Sequence, residues 1–257
     1  YVFVPDARIS TQVGADFQQG RLHSLETVKI VLNLLNKLLY FITFAALYQK
    51  ITAMREINPQ ETTRAYAFEM WMSSPMPMVT LTKTFNITHI YKTSKKIGLK
   101  LNMLLCWAIC KAASQVEEFY TLPIDGKLFR FDKLAVNVIV PNAKGGINSC
   151  DIPYSENLEQ FCKDYATRTN SVAKSCQSIF EEEYMVVGTS AMIATELDCI
   201  VNQYTDKFLN PMVMWGKYRE SWFKKTLPIS FQFHHTQMDG AHAAKFLDAL
   251  QREIYTL

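Results

Sequence analysis

The sequence predicts an α+β fold, a two-layer architecture in which helices cover one face of a mixed β-sheet. Helical and strand patterns are interspersed without the strict alternation that is typical of a parallel sheet. The chain also closes with a strand, a turn and a helix. A length of 257 residues, with 49% hydrophobic and 20% charged residues, suits one large domain with an appendage.

Residues 1–53 differ in character from residues 54–257. They contain no methionine, whereas all eleven methionines lie from Met54 onward, so Met54 is a candidate natural start. The first 53 residues are then translated upstream sequence, an added segment or a true extension. An apolar helix is expected from Leu25 to about Lys50, but its clean run, Leu38–Tyr48, is too short to span a bilayer. No secretory signal pattern opens the chain. We expect a partly helical N-terminal extension that packs on a domain or at an oligomer contact.

The region after residue 53 begins with helical and strand patterns in turn. Asn58-Pro59 is a helix start signal, which predicts a short helix over Arg64–Trp71. A strand is expected around Val79–Phe85, ending where Asn86 can cap another short helix. Ser94–Tyr120 is apolar nearly all round, which predicts one long helix in the core.

The second half of this region carries one more helix among several strands. The Asp125-Gly126 turn precedes strands over Leu128–Pro141, and Ser155 can cap a helix that runs to about Phe180. Further strands are expected at Met185–Ala191, near Leu197–Val201 and at Pro211–Lys217.

The most informative stretch lies near the C-terminus, between residues 227 and 240. Apolar residues alternate with polar ones as far as His234, which predicts a strand with one apolar face, and Asp239-Gly240 marks a turn. The apolar spacing of three and four that follows predicts a final helix. His234 and His235 are therefore expected where the strand ends and a tight turn begins.

Histidine at such a position is typical of proton-transfer chemistry, because imidazole exchanges a proton near neutral pH. His234 and His235 point to opposite sides of the strand, so at most one faces a given substrate. The same geometry argues against a shared metal ion, and we expect no metal. A single histidine such as His23, His89 or His242 is more often a satisfied, partly buried core residue.

Several segments together resemble the chloramphenicol acetyltransferase family, within the CoA-dependent acyltransferase superfamily. The resemblance covers roughly residues 54–257. It rests on four segments in the family's order: Arg64-Ala-Tyr-Ala-Phe68-Glu69-Met-Trp71, Thr189-Ser190-Ala191, Asn210-Pro211-Met-Val-Met-Trp215-Gly216-Lys217-Tyr218, and His234-His235-Thr-Gln-Met-Asp239-Gly240.

The resemblance implies an O-acetyltransferase that moves an acetyl group from acetyl-CoA to a hydroxyl of chloramphenicol, the basis of antibiotic resistance, or of a similar small molecule. His235 would be the general base, and Ser190 would donate a hydrogen bond to the oxyanion. Asp239 and Arg64 would form an ion pair that fixes the turn, with Arg64 as a buried partner. The family also implies a homotrimer with active sites at subunit interfaces.

The acceptor pocket is less well defined than the catalytic residues. By resemblance, Met70, Trp71, Pro77 and Val79 occupy the places that line it, and Lys217 and Tyr218 count among the substrate-binding residues. The chain departs from the family where a proline-tryptophan becomes Ile193-Ala194 and a threonine becomes Met214. An apolar pocket that has lost polar contacts would still accept an aromatic ring but would select its hydroxyl less sharply.

Charge and motifs exclude several other functions. A net charge of +3, without Lys/Arg runs, does not indicate nucleic acid. Nucleotide-binding glycine loops, a hydrolase Gly-x-Ser-x-Gly and a His-Glu-x-x-His zinc motif do not occur in the sequence. The six cysteines form no Cys-x-x-Cys motif, so we expect free thiols in a reducing, cytoplasmic compartment and no membrane partner.

Two alternatives remain beside the acetyltransferase hypothesis. The first is a superfamily enzyme with another acceptor, such as a dihydrolipoyl acyltransferase. In that class the catalytic domain follows a lipoyl domain and a Pro/Ala-rich linker, and the sequence before Met54 resembles neither. A binding scaffold that has lost turnover is the other. The joint presence of Arg64, Ser190, His235 and Asp239 argues against it.

Overall fold

The computed structural model describes residues 31–40 and 54–257. The chain divides into two compact units, Tyr1–Thr52 and Ala53–Leu257. In the first unit residues 31–40 are helical and form helix α1; the rest of the helix predicted from Leu25 to Lys50 lies outside the described residues. No helix in the described ranges has the length and apolar character needed to cross a bilayer.

The second unit combines two β-sheets with five α-helices. The helices are α2 (Ala65–Trp71), α3 (Thr88–Ile97), α4 (Leu101–Ala113), α5 (Leu158–Ser175) and α6 (Gly240–Thr256). Two short 3-10 helices span Pro59–Glu61 and Glu117–Tyr120. The strands are β1 (Met54–Ile57), β2 (Met78–Asn86), β3 (Thr121–Ile124), β4 (Lys127–Phe131), β5 (Leu134–Pro141), β6 (Ile147–Pro153), β7 (Met185–Glu196), β8 (Met212–Lys217), β9 (Arg219–Glu220) and β10 (Lys225–His234).

The large sheet is mixed, as the α+β prediction requires. Its strand order is β2-β10-β8-β7-β5-β6, with β9 paired to β10, and the small sheet has the order β1-β4-β3. The central pairs β5-β7 and β7-β8 are parallel, whereas β10 pairs antiparallel with β2, β8 and β9. The fold class predicted from the sequence is therefore confirmed.

The strand that carries the histidines is buried on both faces. Phe231 and Phe233 are fully buried on one face, where the Phe231 ring lies 5.7 Å from the Phe119 ring and 4.6 Å from the Phe246 ring of α6. On the other face the segment before β8 covers the polar side chains, and the Ile200 N–H donates to Ser230 Oγ at 2.8 Å. A strand enclosed in this way holds its end rigidly, which fixes the position of the histidine pair.

The long core helix predicted over Ser94–Tyr120 is wrong in its extent. Helix α3 ends at Ile97, because Gly98 takes the left-handed conformation (φ 72°) that commonly closes a helix. Only α4 is buried nearly all round, as the apolar pattern predicts. The apolar pattern alone does not show the break, because both helices pack against the same core.

Other boundaries also differ from the sequence prediction. The strand expected near Leu197–Val201 is a loop, in which the Ile200 N–H donates to the Ser230 side chain of β10 instead of to a neighbouring strand. Helix α5 is capped by Asn157, not Ser155, and ends before Cys176, whose φ is 57°. Strands β1, β3, β6 and β9 were not predicted. All six cysteines are free thiols, and burial raises the pKa of Cys106 to about 12.

Candidate active site

The end of β10 and the start of α6 bring together most of the predicted catalytic residues. Strand β2 lies beside β10, with Val79 opposite Phe233 and Met78 opposite His234. Past the strand, the His235 N–H donates to the Pro77 carbonyl at 2.8 Å. The turn then runs from His235 to Asp239, the residue that caps α6.

His234 is a structural residue within this turn. It is 1% exposed, and its Nδ1 accepts a hydrogen bond from the Thr236 N–H at 3.1 Å. Burial, together with the neighbouring His235, lowers the pKa of His234 to about 4. The imidazole is therefore neutral at physiological pH and is not accessible to a substrate.

The buried His234 predicts acid sensitivity of the folded state. The pKa of His234 falls from 6.5 in a model peptide to about 4 in the folded chain. As the pH falls, the unfolded chain therefore binds this proton first. The contribution of His234 is complete above about pH 6.5 and is lost progressively down to about pH 4, by about 3 kcal/mol.

Urea unfolding at pH 7.5, 5.5 and 4.5 measures this loss. Carboxylates also titrate in the acid range, so His234→Asn is the comparison, because asparagine keeps an acceptor for the Thr236 N–H. We expect the variant to lose less stability than the wild type between pH 7.5 and 4.5. Parallel losses in the two proteins would contradict the assignment.

His235 has the geometry of a general base. It is half-buried, and its Nδ1 lies 3.2 Å from the Met238 carbonyl oxygen. A carbonyl only accepts, so Nδ1 carries the hydrogen and the Nε2 lone pair remains available to take a proton. The Trp71 ring stacks on the imidazole, with 4.6 Å between centroids and 7° between planes. Both contacts restrict rotation of the ring.

Arg64 binds the turn from α2's N-terminal end. The Arg64 Nε–H donates to the Thr236 carbonyl at 3.0 Å. One terminal nitrogen of the guanidinium donates to the His235 carbonyl at 2.7 Å, and the other donates to Asp239 Oδ2 at 3.0 Å. Its side chain is 8% exposed, whereas the Asp239 side chain is 40% exposed. Arg64 is thus the buried member of the pair, and its bonds to the His235 and Thr236 carbonyls restrain the backbone of the turn.

Asp239 also begins α6. Its Oδ1 accepts from the backbone N–H groups of Ala241 at 2.9 Å and His242 at 3.4 Å. Burial by itself raises the pKa of Asp239, but the backbone N–H and the nearby imidazole of His242, the Ala241 N–H and Arg64 together lower it. A carboxylate at a helix N-terminus with these donors remains ionised at neutral pH.

His242 belongs to the same network, although the sequence interpretation treated it as a core histidine. Its Nδ1 accepts from the Asp239 N–H at 3.2 Å, and its Nε2 lies 3.0 Å from Glu118. The spacing Asp-x-x-His is that of a capping box in which His242 replaces the usual Glu or Gln. That spacing is the signal by which the sequence could have identified this role.

Ser190 does not lie near His235 within one chain. Ser190 of β7 and Ser230 of β10 both pair with Met214 of β8, so the two serines are separated by one intervening strand. His235 follows Ser230 by five residues. Strand geometry then gives about 10 Å across the sheet and about 16 Å along it, hence about 19 Å between Ser190 and His235.

A second feature is a cavity of about 580 Å³ between α3, α4 and the end of β8. Lys217 and Tyr218 line it, together with Tyr91, Lys95 and Lys100, which the sequence interpretation did not identify. The Tyr91 and Tyr218 rings lie 5.3 Å apart, and Lys225 Nζ lies 4.3 Å from the Tyr91 centroid. Basic and aromatic side chains of this kind suit a phosphorylated ligand with an aromatic ring.

The predicted substrate-binding residues lie in different places. Lys217 and Tyr218 line the cavity, whereas Met70, Trp71, Pro77 and Val79 belong to α2, β2 and the segment between them. Trp71 contacts His235, and Pro77 is buried beside the turn. Met70 is 44% exposed on α2, whereas Val79 packs against the core on the face of the sheet that carries Phe233.

Across the described ranges, no three or more His, Cys, Asp or Glu side chains are placed to hold a metal ion.

Sequence comparison identifies one family. The family described as chloramphenicol acetyltransferase matches residues 53–251. Chloramphenicol acetyltransferase 3 of Escherichia coli is 27% identical over 179 residues, which cover 66% of this chain and 83% of that protein. A chloramphenicol acetyltransferase of Clostridium perfringens is 26% identical over 201 residues, covering 76% of this chain and 92% of the relative.

Solved structures agree on the fold. A chloramphenicol acetyltransferase structure, 16% identical, superposes with a TM-score of 0.67 and covers 78% of this chain and 99% of its own. The structure of the cubic core of the pyruvate dehydrogenase multienzyme complex is 18% identical and superposes with a TM-score of 0.54. The match covers 74% of this chain and 86% of that chain.

Proposed function

Because this chain belongs to the chloramphenicol acetyltransferase family, we propose that it transfers an acetyl group from acetyl-CoA to a hydroxyl of chloramphenicol or a similar small molecule. The observation that carries the proposal is the orientation of His235. Its Nδ1 is fixed to the Met238 carbonyl, which leaves Nε2 free to act as a base. The rest of the turn maintains that orientation through Arg64 and Asp239.

The reaction needs only one proton-transfer group. Nε2 of His235 takes the proton of the acceptor hydroxyl while the hydroxyl oxygen attacks the thioester carbonyl carbon, forming a tetrahedral intermediate. The carbon–sulfur bond then breaks, and the imidazolium returns the proton to the CoA thiolate. The acetyl ester and free CoA are the products, and no acyl-enzyme forms. Trp71 stacking keeps the ring in place throughout.

Ser190 is the proposed donor to the negative oxygen of the tetrahedral intermediate. Ser190→Ala should lower kcat by about a hundredfold, because a lost oxyanion donor typically raises the barrier by about 3 kcal/mol. The KM for acetyl-CoA should change less than threefold, since the bond strengthens only in the transition state. Steady-state kinetics with a thiol reagent measure both values. A kcat within threefold of wild type contradicts the role, and Thr189→Ser on the same strand is a control.

The separation of Ser190 and His235 supports an active site shared between subunits. About 19 Å within one chain is far beyond hydrogen-bond reach, so the two residues meet only if Ser190 comes from a neighbouring copy. A homotrimer, as the family resemblance implies, would place three such sites at its interfaces. The proposed reaction therefore depends on assembly.

Mixing two variants of strongly reduced activity tests the shared site. Ser190→Ala and His235→Ala subunits are denatured together and refolded, so that mixed oligomers form. A shared site regains activity, because an interface can combine Ser190 of one subunit with His235 of another. Each variant refolded alone is the control. An active monomer by sedimentation, or no recovery on mixing, would exclude the arrangement.

The cavity between α3, α4 and β8 is the proposed site for the nucleotide end of acetyl-CoA. Lys95, Lys100 and Lys217 would pair with its phosphates, and Tyr91 or Tyr218 would contact the adenine. Of the other predicted substrate residues, Trp71 stacks on His235 and would contact an acceptor there, and Met70 precedes Trp71 on α2. Val79 would contribute only through the packing beneath it.

Acetyl-CoA consumption against hydroxylated and amino compounds tests the proposed function as a whole. Chloramphenicol is the first acceptor to assay. No turnover with chloramphenicol but saturation by another acceptor at micromolar concentration would exclude the antibiotic and retain the acetyltransferase. If acetyl-CoA does not bind, both are excluded. The six free thiols support the further proposal of a reducing, cytoplasmic location.

A further inference from the structure

Trp215 lines the cavity and carries a hydrogen-bond donor that is unpaired among the described residues. The residue is 2% exposed and lines the 580 Å³ cavity, and its Nε1 is buried without a hydrogen-bond partner among the described residues. An indole N–H only donates, and buried tryptophans usually find an acceptor. A donor left unpaired disfavours the folded state, so its occurrence in a cavity wall indicates where a ligand supplies the acceptor.

The other unpaired buried polar atoms have different surroundings. Among the side chains that the structure describes, they are Gln232 Oε1, Thr236 Oγ1 and Gln237 Oε1. None of these three residues lines the cavity, and both glutamine side chains already donate through their amide nitrogens. Among these atoms only Trp215 Nε1 is both a donor and part of a residue in the cavity wall.

The position of Trp215 along β8 determines which part of a ligand it meets. Lys217 and Tyr218 follow it by two and three residues, hence about 7 to 10 Å further along. On the neighbouring strand, Trp215 pairs with Ala191, directly after Ser190. Along the strand direction, Trp215 therefore lies between Lys217 and the register position of Ser190, although the Trp215 and Ser190 side chains project from opposite faces of the sheet.

We propose that Trp215 Nε1 donates a hydrogen bond to an amide carbonyl of the pantetheine arm of acetyl-CoA. This inference rests on the proposed function, which places the nucleotide beside Lys217 and Tyr218 and the thioester beside Ser190. The arm that joins these two ends carries two amide groups, whose carbonyl oxygens accept hydrogen bonds. Trp215 is thus a residue that selects donors with this arm, and it takes no part in proton transfer.

Binding of two probes to Trp215→Phe tests the inference. Phenylalanine keeps an aromatic ring but removes the N–H. Calorimetry should show that the Kd of CoA rises about five- to tenfold, the effect of one hydrogen bond. The Kd of adenosine 3′,5′-bisphosphate, which has the nucleotide end without the arm, should stay within twofold.

Trp107→Phe is the matched control. Trp107 is also buried, but its Nε1 already donates to the Ser155 carbonyl at 2.9 Å, and it does not line the cavity. This variant should lower the melting temperature and leave CoA binding unchanged. Trp215→Phe should lower it less, because its N–H has no partner in the ligand-free protein.

Three outcomes would overturn the inference. An unchanged Kd of CoA in Trp215→Phe, with wild-type binding intact, excludes the hydrogen bond and leaves the proposed function standing. An equal loss of affinity for CoA and for the bisphosphate assigns Trp215 to the nucleotide end instead of the arm. If the wild type binds neither probe, the proposed donor site fails together with the inference.

Discussion

His235→Ala should lower kcat by at least about a thousandfold, because it removes the only group that the proposed reaction uses to take and return a proton. The folded structure should be retained, since the bonds that bind Arg64 to the turn use the backbone carbonyls of His235 and Thr236. Turnover of acetyl-CoA with a thiol reagent measures the loss. Activity within tenfold of wild type would refute the assignment of His235 as the base.

His234→Asn is the control for this experiment, because it alters the adjacent histidine without touching the proposed base. His234 is buried and neutral, so its replacement should lower stability more than activity. Assays at 20 °C and pH 7.5 keep this variant folded. A larger loss of kcat in His234→Asn than in His235→Ala would reverse the two roles.

Arg64→Ala should destabilise the protein by about 3 to 5 kcal/mol, because it removes three charge-assisted hydrogen bonds made by a buried guanidinium. For a domain of about 200 residues this lowers the melting temperature by about 10 °C. Where the variant is still folded, kcat should fall as well, since the His235 backbone loses its anchor. Calorimetry and kinetics at 20 °C measure the two effects.

Asp239→Asn distinguishes the contribution of the ion pair to stability from that of the other Arg64 contacts. Asparagine is also a good N-cap, and the two carbonyl bonds to Arg64 remain, so the loss should be only about 1 kcal/mol. Arg130→Ala, which breaks the exposed Arg130–Glu117 pair, should change stability by less than about 1 kcal/mol. If Asp239→Asn destabilises as strongly as Arg64→Ala, the ion pair and not the carbonyl contacts holds the turn.

The final strand, turn and helix were predictable because their signals are local. Alternation in Ile229–Phe233, the Asp239-Gly240 turn and the helical spacing after it each depend on neighbours in sequence. The break at Gly98 was missed, since one glycine in an apolar stretch does not reveal a left-handed backbone. Strand β1 was missed because it pairs with β4, which lies far away in the chain. Strands β3, β6 and β9 pair with strands that are close in sequence, but they are short or lack a clear alternation of apolar and polar residues.

Residue type and short-range spacing were enough to identify the family and the α+β class and to select the residues proposed to carry the chemistry. The tertiary structure decided which atoms act. It fixed the free nitrogen of His235 through the Met238 carbonyl, made Arg64 the buried member of its pair with Asp239, and placed Ser190 about 19 Å from His235 in the same chain. The burial of Arg64 depends on contacts between residues more than a hundred positions apart, such as Arg64 and Asp239. The tautomer of His235 depends on the backbone path of the turn, and the separation from Ser190 depends on the order of the strands in the sheet. No residue pattern encodes these three properties.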